Sequence, residues 1–222
     1  MQETSGYIAP RILGFAEKLA LHVRKSIYKS TIASIALDRS LKVLDVGVTS
    51  DMSSDSNFFE KMYPYPDRIV AVGMEDARFL EELYPGLKFV CADACSLPFL
   101  DDYFDIAFCS AVIEHVGSRQ KQEQLILEMT RVSKISIITT PNRWFPIEFH
   151  TLTFMIHWLP QSWFRRFLRM TGRRFSSKEE NLNLLTDSDM KYMLAGNKLI
   201  YKCHHYKLIG LISNLVYVIQ NK

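Results

Sequence analysis

The 222-residue chain carries 27 basic and 24 acidic side chains and is 48% hydrophobic and 23% charged. That composition excludes disordered, collagen-like, coiled-coil and low-complexity architectures, and the length suits one domain that buries its core without disulfide staples. The longest uncharged run, residues 149–164, holds two histidines and Pro160 and falls short of the roughly 20 apolar residues a membrane span needs.

Residues 10–36 read as one or two amphipathic helices, with Ile12, Phe15, Leu19, Val23 and Ile27 at helical spacing. Glu3, Arg11, Glu17, Lys18 and Arg24 interrupt the apolar positions, so no secretory leader is expected. Residues 42–46 form a short apolar run closed by Gly47, the pattern of a buried strand. A short helix over 57–62, a strand over 68–73, a helix over 77–84 stopped by Pro85-Gly86, and strands over 87–91 and 105–110 follow. A helix over 120–132 and a strand over 135–140 ended by Pro141 complete the alternation. Such alternation predicts a doubly wound parallel sheet with right-handed crossovers. Residues 142–185 are rich in Trp, Phe and Arg and show no clear strand. Thr186, with Asp189 three residues on, opens a helix that Gly196 closes. Residues 198–203 and 213–220 are two β-rich runs, expected to pair antiparallel.

The expected fold is therefore α/β, seven-stranded and mostly parallel, with the last strand antiparallel and a helical insert after strand five. Its parts are an N-terminal helical segment (1–40), a core (41–141), an insert (142–185) and a closing helix and hairpin (186–222). The charge is uneven. Residues 45–129 carry 16 acidic and 6 basic side chains, whereas residues 143–174 carry 6 basic and 1 acidic. An acidic centre with basic flanks does not form a nucleic-acid surface. It suits a cationic ligand at the centre and an anionic partner at the flanks, or else simply a solvated surface. Cys91, Cys95, Cys109 and Cys203 show neither CxxC pairing nor zinc spacing, and three sit in or at the ends of strands, as small hydrophobes do in a reduced, cytoplasmic protein.

Ligands of open parallel sheets sit beyond the carboxyl ends of the strands. Three acids stand there. Asp45 lies in the strand-ending Val43-Leu44-Asp45-Val46-Gly47. Glu75 follows the second strand in Val70-Ala71-Val72-Gly73-Met74-Glu75, placed to accept ribose hydroxyls. Asp93 follows the third in Ala92-Asp93-Ala94, placed to accept an adenine amino group beside the Ala94 amide. Leu97-Pro98-Phe99, Phe104-Asp105 and Val112-Ile113-Glu114-His115-Val116 come next.

Together these motifs resemble the class I S-adenosylmethionine-dependent methyltransferases, specifically their type 11 branch, over about residues 40–141, nearly half the chain. The segment Thr139 to His150 is also similar to that of bacterial methyltransferases of polysaccharide and glycolipid loci. The resemblance implies S-adenosylmethionine as cofactor and methyl transfer to a hydroxyl oxygen of a small-molecule, sugar or lipid-linked acceptor. It implies that Asp45, Gly47 and Val48 meet the methionine end, Glu75 the ribose, Asp93 and Ala94 the adenine, and Ser110 and Ala111 the methyl group. The family's loop carries three glycines; here Gly47-Val48-Thr49-Ser50-Asp51 keeps one. That loss leaves open a non-catalytic binding or scaffold protein that kept the fold.

In this fold the loop after strand five builds the acceptor pocket, so Asn142, Arg143 and Trp144 are expected to contact the acceptor. His150 and Glu148 are the candidates to take its proton. Alternatively His150 is a satisfied interior histidine and Glu148 an ion-pair partner of Arg143. His157, His204 and His205 are lesser candidates, Glu114 and His115 read as structural, and no metal is called for. The segment 154–170 interleaves aromatics with Arg165, Arg166 and Arg169. It serves either as a lid packed on the sheet or as a peripheral contact with the inner face of a membrane.

Overall fold

The computed structural model describes residues 14–32, 38–52 and 56–220. The first helix, α1 (Gly14–Ile27), runs into a wider π-turn at Tyr28–Ile32; the remaining ends of the expected helical stretch, 10–13 and 33–36, lie outside the described residues. Strand β1 (Val43–Val46) is buried along its whole length, as a central parallel strand is, although it includes the carboxyl of Asp45. Then come α2 (Phe58–Met62), β2 (Ile69–Gly73), α3 (Phe79–Leu83), β3 (Lys88–Cys91), β4 (Phe104–Ser110), α4 (Arg119–Val132) and β5 (Ser133–Pro141). The insert holds a two-residue hairpin, β6 (Ile147–Glu148) with β7 (Thr153–Phe154), and one helix, α5 (Gln161–Met170). Helix α6 (Asp187–Gly196) and strands β8 (Ile200–Cys203), β9 (Tyr206–Leu208) and β10 (Leu211–Gln220) close the chain.

The main sheet runs β3-β2-β1-β4-β5-β10-β8, with β9 paired to β10. Strands β1 to β5 are mutually parallel, and β10 lies antiparallel between β5 and β8. The expected seven strands and their directions are present, with three short additions. β9 makes an eighth strand, and the insert read as strandless carries β6 and β7, pairs too short to leave a period in the sequence. Helix α6 opens with the full Thr186–Asp189 capping box. Gly196 does not end it by a left-handed turn; it is the last helical residue, and the left-handed position is Lys198.

Alternation along the strands sorts the core onto two faces. Leu44, Val46, Ala107 and Cys109 pack with Leu125, Ile126 and Met129 of α4 and Met190 and Leu194 of α6. Val43, Ile69, Ala71, Ile106 and Phe108 pack with Val23 and Ile27 of α1, Phe58 and Phe59 of α2 and Leu80 of α3. Asp45 shares the parity of Val43 and so enters the second face, opposite α2.

The chain order reverses between β1, which leads to β2 and β3, and β4, which leads to β5. At this switch point Gly47 has φ +106°, and a Cβ there would overlap the Val112 side chain that follows β4. Gly47→Ala is expected to cost about 1–3 kcal/mol from the backbone alone and more from the overlap. Urea denaturation of Gly47→Ala and of Gly47→Ala/Val112→Ala checks this: the second substitution should recover the overlap and leave the backbone penalty.

Candidate active site

The carboxyl ends of β1, β2 and β3 bring Asp45, Glu75 and Asp93 to one rim of the sheet. Asp45 and Glu60, the latter on α2, are both buried. Burial, and then repulsion from Glu60, raises the Asp45 carboxyl well above its usual range, and burial also raises Glu60. Neither Glu60 oxygen has a hydrogen-bond partner among the described residues. Adjacent desolvated carboxyls resist being ionised together, so a cation brought against them is strongly favoured. Glu60 was not legible as a site residue: an acid between Phe59 and Lys61 in a five-residue helix looks like surface charge.

The glycine-poor loop is held by its neighbours. The Gly47 and Val48 amides donate to the Val72 carbonyl at 2.7 and 3.0 Å, and the Val48 side chain packs into the core. Asn57, itself left-handed, accepts from the Thr49 amide at 3.0 Å and donates to the carbonyls of Thr49 and Asp51 at 3.0 and 3.2 Å. Ser50 Oγ donates to Glu75 Oε2 at 2.5 Å, so the ribose candidate already leans on this loop. Gly73, just before it, has no room for a Cβ beneath the Val48 carbonyl, and the neighbouring Met74 side chain is exposed.

Asp93 is exposed; its Oδ1 accepts from the Cys95 amide at 2.8 Å, and Ala94 is buried beside it. Arg131 of α4 fixes this loop from behind. It donates to the carbonyls of Leu97 and Phe99 at 3.0 and 2.8 Å and pairs with Asp101 and Glu128, both at 2.8 Å. The Leu-Pro-Phe motif is thus a backbone fitted to one arginine.

Across the crevice, Ser110 Oγ meets Thr139 Oγ1 at 3.0 Å, and Ala111 turns the chain with φ +56°. The turn carries Glu114 and His115 to the insert. Glu114 is fully buried: Oε2 accepts from Thr140 Oγ1 at 2.9 Å, while Oε1 has no hydrogen-bond partner. His115 Nδ1 meets the Asn181 carbonyl at 2.6 Å, and its Nε2 lies 3.1 Å from His150 Nε2. His150 Nδ1 lies 2.7 Å from Glu148 Oε1. Glu148 also accepts from the His150 amide and from the amide and hydroxyl of Thr151, at 2.9, 2.7 and 2.5 Å. Burial works to raise the Glu148 carboxyl, but His150 and these donors outweigh it and hold it down to about 2. Burial works to lower His150, yet Glu148 and Glu114 carry it above the usual imidazole value; burial and then His150 lower His115.

His150 and Glu148, expected on the acceptor side, are therefore brought together, and Glu114 and His115 join them. Arg143 does not pair with Glu148; it binds the carbonyls of His157 and Leu159 at 3.2 and 2.9 Å, and its guanidinium lies 5.4 Å from the Trp144 ring. Asn142 spends its amide on the Ile212 carbonyl at 2.9 Å, so both residues fasten the insert to the sheet, while Trp144 stays exposed. His157 is buried on the Phe145 carbonyl, His204 is exposed, and His205 faces Asp187.

Residues 61–136 match the family model described as a methyltransferase domain. No curated protein matches the chain. Among solved structures, the magnesium protoporphyrin IX methyltransferase of Synechocystis PCC 6803 with bound S-adenosylhomocysteine is 13% identical, with a TM-score of 0.59 over 97% of this chain and 91% of that one. The PH0226 protein of Pyrococcus horikoshii OT3 is 17% identical (TM-score 0.58; 90% and 91% covered). A S-adenosylmethionine-dependent methyltransferase of Methanosarcina mazei is 18% identical (TM-score 0.53; 86% and 97% covered). The architecture is that of the class I methyltransferases, as the motifs implied.

The buried acid pair has a consequence for stability. A folded-state carboxyl raised above its unfolded value makes the folded protein bind more protons than the unfolded one, so stability falls as pH rises from about 4 through the raised value. Glu60→Gln removes one of the two carboxyls. It is expected to raise the Tm of the protein without added ligand at pH 8 and to change it little at pH 4, as thermal melts across that range would show. An equal gain at both values would mean the pair carries no such penalty.

Proposed function

We propose that the chain binds S-adenosylmethionine at the carboxyl ends of β1 to β4 and transfers its methyl group to a hydroxyl oxygen of an acceptor seated against the insert. The observation that carries this reading is the placement of Asp45, Glu75 and Asp93 at the ends of three consecutive strands, around a glycine turn that leaves no room for a Cβ. The residues fit the cofactor. Its charged methionine end would face the buried Asp45–Glu60 pair, whose carboxyl oxygens suit an ammonium group. Glu75 would accept the ribose hydroxyls next to Ser50, and Asp93 with the Ala94 amide would take the adenine. Bound there, S-adenosylmethionine supplies a methyl group on a good leaving group. The chain's own contribution is to orient the acceptor and to handle its proton through the His115–His150 pair, with Glu148 fixing the His150 ring. The scaffold alternative rests on the lost glycines. Asn57 weighs against it, because its three hydrogen bonds do the shaping work those glycines would do.

Helix α5 packs on the insert itself, not on the sheet, and leaves an exposed basic and aromatic face. Phe164 and Leu168 pack under Leu182 and Leu184, while Trp163, Met170 and the preceding Phe154 are exposed. Arg165 is engaged with Glu179 at 3.2 Å, whereas Arg166 and Arg169 are exposed. A lipid-linked, anionic acceptor fits this surface, and no helix among the described residues is long and apolar enough to cross a membrane.

Calorimetry with S-adenosylmethionine tests the reading. The wild-type chain should bind it, Asp93→Ala should lose roughly 1–3 kcal/mol of affinity, and Glu75→Gln should bind more weakly with an unchanged fold. Equal affinity in both variants would remove the assigned contacts. Arg166→Gln/Arg169→Gln should leave cofactor affinity unaltered and weaken binding to phosphatidylserine vesicles by about ten- to thirty-fold, since each basic residue near such a surface contributes about 1 kcal/mol. Vesicle sedimentation reads the difference.

A further inference from the structure

The hydrogen-bond pattern around His115 and His150 favours a positive charge between them. The outer nitrogen of each ring faces a group that only accepts: His115 Nδ1 the Asn181 carbonyl, at 2.6 Å, and His150 Nδ1 the Glu148 carboxylate, at 2.7 Å. Both Nδ1 atoms therefore carry hydrogen. In the neutral rings both Nε2 atoms then present lone pairs to each other across 3.1 Å. The unpartnered Oε1 of the fully buried Glu114 adds a third set of lone pairs, 3.8 Å from His150 Nε2. The three ligand atoms lie within 4.8 Å of one another. A proton or a cation among the three relieves the repulsion of their lone pairs.

We propose that Glu114, His115 and His150 form a binding site for a divalent transition-metal ion, zinc by preference. Two imidazoles ligating a tetrahedral zinc at about 2.0–2.1 Å place their nitrogens about 3.3 Å apart, close to the separation found. Each ring already has the outer hydrogen bond, to a carboxylate or a backbone carbonyl, that orients ligating histidines. Glu148 and Asn181 are those partners, and Glu148 is itself held by Thr151. Glu114 is aimed in the same way by Thr140 at 2.9 Å. Three protein ligands leave a fourth position, as in catalytic rather than structural zinc sites. The His150 side chain is 26% exposed, so that position is reached from outside. A hydroxyl oxygen of the acceptor fits it. The ion would acidify that hydroxyl, whose proton leaves to water, and would replace the histidine pair as the group that handles it, because both Nε2 atoms are then on the metal. The assignment rests on the methyl-transfer reading.

The test uses the full chain, dialysed against chelator and titrated with Zn2+. Calorimetry and metal analysis should give one ion per chain. His150→Ala and His115→Ala should weaken binding at least a hundred-fold, and Glu148→Gln, which only positions His150, should weaken it about 10–100-fold. Co2+ in the wild type should show the intense visible absorption of a tetrahedral ion, and His150→Ala should lose it. Circular dichroism verifies folding, with the half-exposed His150→Asn as a second variant should His115→Ala not fold. The other grouping of possible ligands among the described residues, Asp187, Cys203 and His205, supplies the control. An ion retained in His150→Ala and His150→Asn but lost in Cys203→Ser overturns the proposal, as does the absence of binding, in which case the pair holds a proton. S-adenosylmethionine calorimetry on the same samples separates the two readings. Cofactor binding without zinc binding overturns the metal site alone, whereas zinc binding without cofactor binding overturns methyl transfer and leaves the site standing.

Discussion

The close approach of Gly47 to Val112 is the constraint from which the rest of the rim follows. Parallel strands end with unsatisfied amides and room for a ligand only where the chain order reverses, and here that point lies between β1 and β4. Because Val112 stands over the turn, the chain after β1 can only pass without a Cβ. The turn then delivers its amides to Val72, which fixes β1 against β2. The same contact orients the segment after β4, so the turn after β1 and the turn after β4 are set by one van der Waals surface. A change there moves both.

Around that point the protein buries four carboxyl groups, Asp45, Glu60, Glu114 and Glu148. Desolvating a carboxyl costs several kcal/mol unless hydrogen bonds or charges offset it. Glu148 has its offset built in, from three donors and an imidazole. Glu60 does not, and Glu114 has it on one oxygen only. The unsatisfied acids lie at two places, beside Asp45 at the end of β1 and beside the histidine pair, which are the two places where the proposed cofactor and the proposed ion bring positive charge. Core packing gives no reason for an acid at these positions, since the neighbours are Phe58, Phe59 and Phe108 on one side and Ile113 on the other. Their cost to the empty protein is a preorganised field for a ligand.

The sheet was legible because its information is local. The strands are short runs dominated by apolar residues, and the acids at the end of β1 and after β2 and β3 are placed by strand ends that such runs reveal. The direction and position of β10 also followed from a β-rich run after a capped helix. Contacts across the chain were not legible. Glu60 meets Asp45 only because pleat parity turns Asp45 toward α2, and nothing in Phe-Phe-Glu-Lys-Met announces that an acid points inward. His150 was found by its nearness to the end of β5, but its partner His115 is 35 residues away and reaches it through a turn whose left-handed Ala111 no propensity predicts. Asn142 and Arg143 were read as acceptor contacts from position alone. The Arg143 side chain binds carbonyls of an insert with little regular structure to satisfy them, and that of Asn142 binds the Ile212 carbonyl of β10.

The need of loop carbonyls for partners also explains how the loop after β1 functions with one glycine in place of three. Glycines in such a loop let the backbone take conformations closed to other residues and let a ligand approach it. This chain moves the unusual conformation to Asn57, where a left-handed backbone is tolerated because the amide side chain can bond locally. Asn57 then returns three hydrogen bonds to Thr49 and Asp51, and Ser50 is drawn to Glu75. The loop is consequently shaped by side chains from the next helix and the next strand rather than by its own flexibility. A loop shaped this way should be stiffer than a glycine-rich one and should tie the end of β1 to the end of β2, because Ser50 cannot shift without releasing Glu75.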